Sequence, residues 1–264
     1  LTDVTGVQTC ALPICDQSLG RALNWIVLRG GEAGRILILV VDHLDAGVVR
    51  QAKRLAEGLP ALGVAAAMLY VDPSRSDYYL EAERPETGLA VKHLAGPRLL
   101  TLAFADAGTP VRLKYPPTVF SQVNEAMVPV LVAAARALLE PRSSDRLLDL
   151  YCGYGLFSFT LGRECRSVTG VEIAGEAIEA ARETARRQGR EKSCRFTAAR
   201  IDAERLAALE QEAAGDEVQL LDPPRHGTAA GVIAALATRR PRRVLHIACG
   251  TDEILPSLTA WREA

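Results

Sequence analysis

Three stretches of this 264-residue chain carry side chains that could do chemistry. The run "VLHIACGTDE" (244–253) is apolar until it halts at Cys249 and passes into a polar turn. A thiol at the end of a buried strand is either a packing residue, the commonest fate of a free cysteine, or a nucleophile delivered to a pocket. The run "DLYCGYG" (149–155) leaves an apolar strand through Gly153 and Gly155. Glycines there let the backbone approach a ligand closely, and a following helix would offer free N–H groups. Glu172 comes 19 positions after Gly153, where an acid can take both hydroxyls of a ribose. The plainer reading is a loop glycine pair beside a surface glutamate. In the third stretch, "LLDPPRHG" (220–227), Asp222 ends an apolar run and two prolines stiffen the turn after it. Arg225 then presents a rigid fork of donors, suited to a carbonyl or phosphate oxygen or to a structural Asp–Arg turn.

A dinucleotide site would complete the pattern GxGxxG. Here the run reads Gly153-Tyr154-Gly155-Leu156-Phe157-Ser158, so the third glycine is missing and a pyrophosphate is disfavoured. An adenosine-containing cofactor without phosphate, S-adenosyl-L-methionine, fits the residues better.

The elements that must position these groups alternate. A helix over 124–140 precedes a strand over 146–151, then a glycine turn, a helix and a strand over 167–172. A helix over 175–189, a strand over 193–199, a helix over 202–212 and a strand over 217–222 follow, and then a helix over 228–238 and a strand over 242–248. Strands separated by helices make βαβ units on a parallel sheet, whose ligands sit outside the carboxyl ends of the strands. All three stretches fall at such ends. The preceding part reads as a small α/β module. It has strands over 24–30 and 35–41 joined by a Gly-Gly turn, an amphipathic helix over 45–62, and strands over 64–71, 88–94 and 98–104. His43 and His93 within it read as surface or strand-edge residues. The prolines of "YPPTVF" (115–120) mark the boundary between the two parts.

Composition bounds the rest. The chain is 48% hydrophobic and 24% charged with a formal net charge of -1, which argues against a polybasic arm but leaves room for a local basic face. The runs "ARRQGREK" (185–192) and "TRRPRR" (238–243) are candidates for phosphate contact or for solvated helix ends. No apolar run has the length of a membrane helix, so a cytoplasmic protein, expected to be a monomer, is the default. The six cysteines, at 10, 15, 152, 165, 194 and 249, lack tandem CxxC spacing and read as thiols, with no metal site. "VTGVQTCALPI" (4–14) resembles translated sequencing adapter, so residues 1–15 are set apart from the fold as artefactual.

The motifs "FSQVNEAM" (120–127), "LLDLYCGYGLFSFTLG" (147–162), "VTGVE" (168–172), "LLDPPRHG" and "LHIACGTDEILPSL" (245–258) occur in the order found in RNA uracil-C5 methyltransferases. The chain resembles that family over about residues 20–264. The resemblance implies a Rossmann-like class I methyltransferase fold, doubly wound with a mostly parallel sheet, over 119–264, and a smaller α/β module over 16–118. It implies methyl transfer from S-adenosyl-L-methionine to C5 of a uridine in rRNA or tRNA. Gln122, Tyr151, Gly153, Gly155, Glu172 and Asp222 would bind the cofactor. Cys249 would be the nucleophile, and Arg225 and Asp222 its catalytic companions. Departures accompany these matches. Gly250-Thr251 stands where the family usually has Asn-Pro, Leu156 where it has Asn, and Ala248 where it has Ser. The family's general-base glutamate would lie beyond Ala264, so C-terminal truncation is expected. The alternatives are a class I methyltransferase without a covalent nucleophile, acting on another base or a protein, and a non-catalytic RNA-binding relic.

Overall fold

The structure is a computed structural model that describes residues 18–30, 34–74 and 90–264. The adapter-like segment with Cys10 and Cys15, the Gly-Gly turn and the first two positions of the 88–94 strand lie outside the described residues or at their edge. After a short helix α1 (Ser18–Ala22), strand β1 (Leu23–Arg29) pairs antiparallel with β2 (Arg35–Val41). Six of the seven β2 residues are buried, because both faces of that strand are covered. Helix α2 (Ala46–Gly58) covers one face, laying Val48, Ala52 and Ala56 against Leu37, Leu39 and Val41. Its N-terminus is fixed by Asp45, which accepts the Val48 N–H at 2.7 Å. Strand β3 (Val64–Val71) pairs parallel to β2, and β4 (Val91–Ala95) closes this sheet antiparallel to β3.

On the other face, Ile36, Ile38 and Val40 share one core with the β5 (Leu100–Asp106)–β6 (Thr109–Tyr115) hairpin and with the second half of the chain. Strand β6 is absent from the sequence expectation. It alternates outward Arg112 and Lys114 with buried Val111, Leu113 and Tyr115. Ala107 and Gly108, at φ 48° and 78°, make its tight turn.

Helix α3 (Val128–Leu139) leads into β7 (Arg146–Leu150), β8 (Ser167–Glu172), α4 (Gly175–Arg187), β9 (Cys194–Ala198), α5 (Ala203–Ala208), β10 (Glu217–Leu221), α6 (Val232–Thr238), β11 (Arg243–His246) and α7 (Ile254–Glu263). The five strands are all parallel, in the order β11-β10-β7-β8-β9. Helices α3 and α4 pack on one face, and α5 and α6 on the other. This is the doubly wound, Rossmann-like sheet the alternation implied. Strand order reverses between β7 and β10, so the crevice outside their carboxyl ends is the expected ligand site.

The helix expected after the glycine turn does not form as such. Residues 151–160 run through successive turns, with one 3-10 turn at Leu161–Arg163. The Thr160 hydroxyl donates to the Leu156 carbonyl at 2.7 Å and the Ser158 hydroxyl turns to Asp149, so side chains compete for a helical ladder's partners. Helix α6 starts late because Gly231, at φ 77°, caps it in a conformation no helix continues through. The basic run 238–243 is also corrected. Arg239 is buried against Glu217 at 2.6 Å, Arg242 pairs with Asp145 at 2.5 Å, and Arg243 pairs with Glu140 at 2.9 Å. These arginines lock β10 and β11 in place, which leaves little of the run to meet phosphates. In the run 185–192, Arg186 and Arg187 both pair with Glu183.

Candidate active site

The chain leaves β7 through three residues with positive φ: Tyr151 at 61°, Gly153 at 53° and Gly155 at 90°. A tyrosine there is held in a sparsely populated region, as the walls of ligand sites often are. Gly155 cannot carry a side chain, since a Cβ would meet the Phe159 ring at 2.6 Å. At Gly153 a Cβ would meet nothing within 4 Å, so this glycine faces open space beside the crevice. The Gly153 N–H donates to Glu172 Oε2 at 3.2 Å and the Ala174 N–H to Oε1 at 2.9 Å. Glu172, at the end of β8, is thereby braced against the turn.

Two further carboxylates complete an acidic group at these strand ends. Asp222 follows β10, its N–H donating to the Leu150 carbonyl at 3.3 Å. Asp149 lies within β7 and is fully buried. Its Oδ2 accepts the Ser158 hydroxyl at 2.6 Å, while Oδ1 has no hydrogen-bond partner. Burial pushes the Asp149 pKa up to about 7, opposed by the Ser158 hydrogen bond and reinforced by the charges of Asp222 and Glu172. Burial, followed by the Glu172 charge, raises Asp222 to about 6, and the same causes push Tyr151 up to about 12. Negative charge accumulates here with one acceptor left orphaned. A buried carboxyl of this kind is either paired with a cation or neutralised by protonation. The sequence reading missed Asp149 and Ser158. The signal was there, since an aspartate inside an otherwise apolar run needs a reason to be buried.

The loop after β6 carries Gln122, which is partly exposed. Arg29, at the end of β1, clamps this loop by donating to the carbonyls of Pro117 and Val119 and to the Ser121 hydroxyl. The Tyr115 ring stacks on Tyr154 of the glycine turn, with centroids 4.3 Å apart and planes 14° from parallel. Arg29 of β1 thus holds the Gln122 loop, and Tyr115 of the β5–β6 hairpin packs on the glycine turn. Leu156, where the resemblance leads one to look for asparagine, packs into the core instead.

Cys249 lies just past β11, the neighbour of β10. Leu221 and His246 are in register, and the Ile247 N–H donates to the Leu221 carbonyl at 2.8 Å. Asp222 and Cys249 thus follow adjacent strand ends. Among the described cysteines Cys249 alone is exposed. Burial pushes Cys165 up to about 12 and raises Cys152 and Cys194 as well, which leaves those thiols protonated and unreactive. His246 accepts the Trp261 Nε1–H at 3.2 Å, which ties α7 to this strand end. Arg225 is exposed on the turn closed by the Gly227 N–H and Pro224 carbonyl at 2.8 Å, and the Asp–Arg ion pair weighed from the sequence is not formed.

A family model described as tRNA (Uracil-5-)-methyltransferase matches residues 102–262. The chain belongs to the tRNA (uracil-5-)-methyltransferase family. It is 35% identical over 89% of its length to the 23S rRNA (uracil(1939)-C(5))-methyltransferase RlmD of Pectobacterium atrosepticum, covering 46% of that protein. The protein of the same name from Dechloromonas aromatica is 32% identical over 68% of this chain and 40% of its own length. The chain thus spans less than half of the curated relatives it matches. Among solved structures, the Pyrococcus abyssi tRNA (uracil-54, C5)-methyltransferase, in complex with S-adenosyl-L-homocysteine, superposes with a TM-score of 0.62 at 20% identity. That match covers 90% of this chain and 53% of the other, and it supports the class I methyltransferase fold. No helix of the described residues is long and apolar enough to cross a membrane.

Proposed function

We propose that this chain is the cofactor- and uridine-binding part of an RNA uracil-C5 methyltransferase that uses S-adenosyl-L-methionine. One observation carries the reading: an acidic crevice with an orphaned buried acceptor lies beside an exposed cysteine on the adjacent strand end. The residues fit the cofactor, because a sulfonium and an ammonium supply the positive charge that Asp149, Glu172 and Asp222 lack. In this reading Glu172 takes the ribose hydroxyls, Gly153 and Gly155 allow close approach, and Gln122 and Tyr151 form the walls. When bound, the cofactor supplies an electrophilic methyl group. Residues 119–264 form the catalytic unit in this reading, with 16–118 as its smaller module.

Uracil C5 is too weak a nucleophile to take a methyl group unaided. The Cys249 thiolate adds to C6, and the electrons of the C5–C6 double bond move onto the C4 carbonyl as an enolate. Arg225, exposed on the turn beyond Asp222, is the candidate donor to that oxygen. C5, made nucleophilic by the Cys249 adduct, would then accept the methyl group that the cofactor supplies, the electron pair of the broken carbon–sulfur bond staying with sulfur. A base takes the C5 proton, the double bond re-forms and the Cys249 thiolate leaves. The uridine must be turned out of its stack to reach the thiol. The names of the curated relatives favour ribosomal over transfer RNA as substrate, and a cytoplasmic location belongs to the same reading.

The test is a denaturing gel of the protein with cofactor and RNA containing 5-fluorouridine, which has no C5 proton to lose. A covalent band in the wild type, absent from Cys249→Ala, is the expected result. A band that survives in the alanine variant would exclude Cys249. Methylation without any band would favour the non-covalent class I methyltransferase.

A further inference from the structure

We propose that the outer face of α2, with Lys92 on β4, is a second RNA contact that holds phosphates away from the reaction centre. This deepens the RNA reading and rests on it. Arg50, Lys53 and Arg54 are exposed on the helix face opposite the buried stripe of Val48, Ala52 and Ala56. Together with Lys92 they line a shallow groove of about 760 Å³. Two carboxylates share the groove, Asp45 and Glu57. Asp45 is spent capping the helix. None of the four cations is ion-paired with a described residue.

Several arginines elsewhere among the described residues are held by carboxylates. Arg136, Arg146, Arg182, Arg239 and Arg242 each have a carboxylate partner at 3.2 Å or less. In a chain of net charge -1, four cations along one groove with no ion pair among the described residues are a local surplus. Residues at i, i+3 and i+4 share a helix face, and Arg50 and Arg54 stand about 6 Å apart along the axis at about 1.5 Å per residue. Long flexible cations without an aromatic side chain to stack on a base suit a phosphate backbone rather than base readout. The opposite face of this sheet packs on the second half of the chain, so the groove is separated from Cys249 by the sheet itself. RNA held there would be a distant part of the substrate. The surface should therefore set affinity and leave the chemical step alone.

The experiment measures binding of the RNA that the wild type methylates, by fluorescence anisotropy across a salt series. It compares the wild type, the triple variant Arg50→Gln, Lys53→Gln, Arg54→Gln, and the single variant Glu57→Gln. Each lost phosphate contact should flatten the log–log salt slope by about 1, so the triple variant should lose about 3 and bind at least about tenfold more weakly at low salt. Glu57→Gln should bind more tightly. Cofactor affinity, thermal midpoint and the single-turnover rate at saturating RNA should be unchanged, since all these side chains are exposed. A wild type that methylates RNA while the triple variant keeps its affinity and salt slope would overturn this surface and leave the proposed function standing. A wild type that neither binds nor methylates any uridine-bearing RNA would overturn both. Loss of binding to anionic vesicles with RNA binding intact would assign the groove to a membrane and refute the proposal.

Discussion

Replacing Asp149 by asparagine separates the electrostatic strain of the crevice from its packing. Burial raises the carboxyl from an ordinary 3.8 to about 7. The folded state therefore holds this proton more tightly than the unfolded chain. The group costs nothing below pH 3.8, its cost grows as pH rises, and it is fully present above about 7. The difference is about three pH units, and at about 1.4 kcal/mol each it amounts to about 4 kcal/mol. Asparagine keeps the shape and can still accept from Ser158, but it carries no charge. It also buries an amide N–H₂ in place of the unpartnered oxygen, which costs about 1–3 kcal/mol at any pH. The two terms separate by pH. Between pH 5 and pH 8 the stability of Asp149→Asn relative to the wild type should rise by about 3 kcal/mol. At roughly 2–4 °C per kcal/mol for a chain of this size, that is a swing of about 6–12 °C in the thermal midpoint difference. Scanning calorimetry of cofactor-free protein at both values measures it. Cofactor affinity of the variant should fall, because the charge that strains the free protein is the one that attracts the ligand. An equal midpoint difference at both pH values, or a smaller one at pH 8, would refute the account.

The wild type should bind S-adenosyl-L-methionine more tightly as pH rises from 5 to 8, since a cation is attracted once Asp222 and Asp149, raised to about 6 and about 7, have ionised. Isothermal titration at several pH values reads this, and a flat profile would count against the acidic crevice. Glu172→Ala should weaken cofactor binding by about 1.5–3 kcal/mol in the same titration, as expected for lost charged hydrogen bonds. Arg29→Met removes the clamp on the Gln122 loop, at a cost of about 2–4 kcal/mol. It should speed amide exchange at Val119–Gln122 and weaken cofactor binding together, and unchanged exchange would show that the clamp is idle. Iodoacetamide near neutral pH should modify Cys249 before Cys152, Cys165 and Cys194, which peptide mass spectrometry resolves by time course.

Periods of two and of three to four residues made the βα alternation from Arg146 to His246 readable, because strand and helix patterning are local. The glycine turn and the acid at Glu172 were readable for a similar reason, since positive φ and strand-end position leave marks in one short stretch. The motif order likewise pointed to Cys249 and Asp222. Other features required the folded chain. "TRRPRR" looks like a phosphate contact until Glu217 and Asp145, which are 22 and 97 residues away, take Arg239 and Arg242. The helix expected after Gly155 gives way because a serine in it turns to an aspartate on the preceding strand. Arg29 reaches a loop about 90 residues downstream, and only that contact gives it a role. Asp149 reads as a lone charge in an apolar run until β8 and β10 bring Glu172 and Asp222 to its strand end. Backbone periodicity acts between neighbours in sequence, whereas desolvation, charge–charge coupling and hydrogen-bond pairing depend on separation in space, which the chain acquires only when its sheets are assembled.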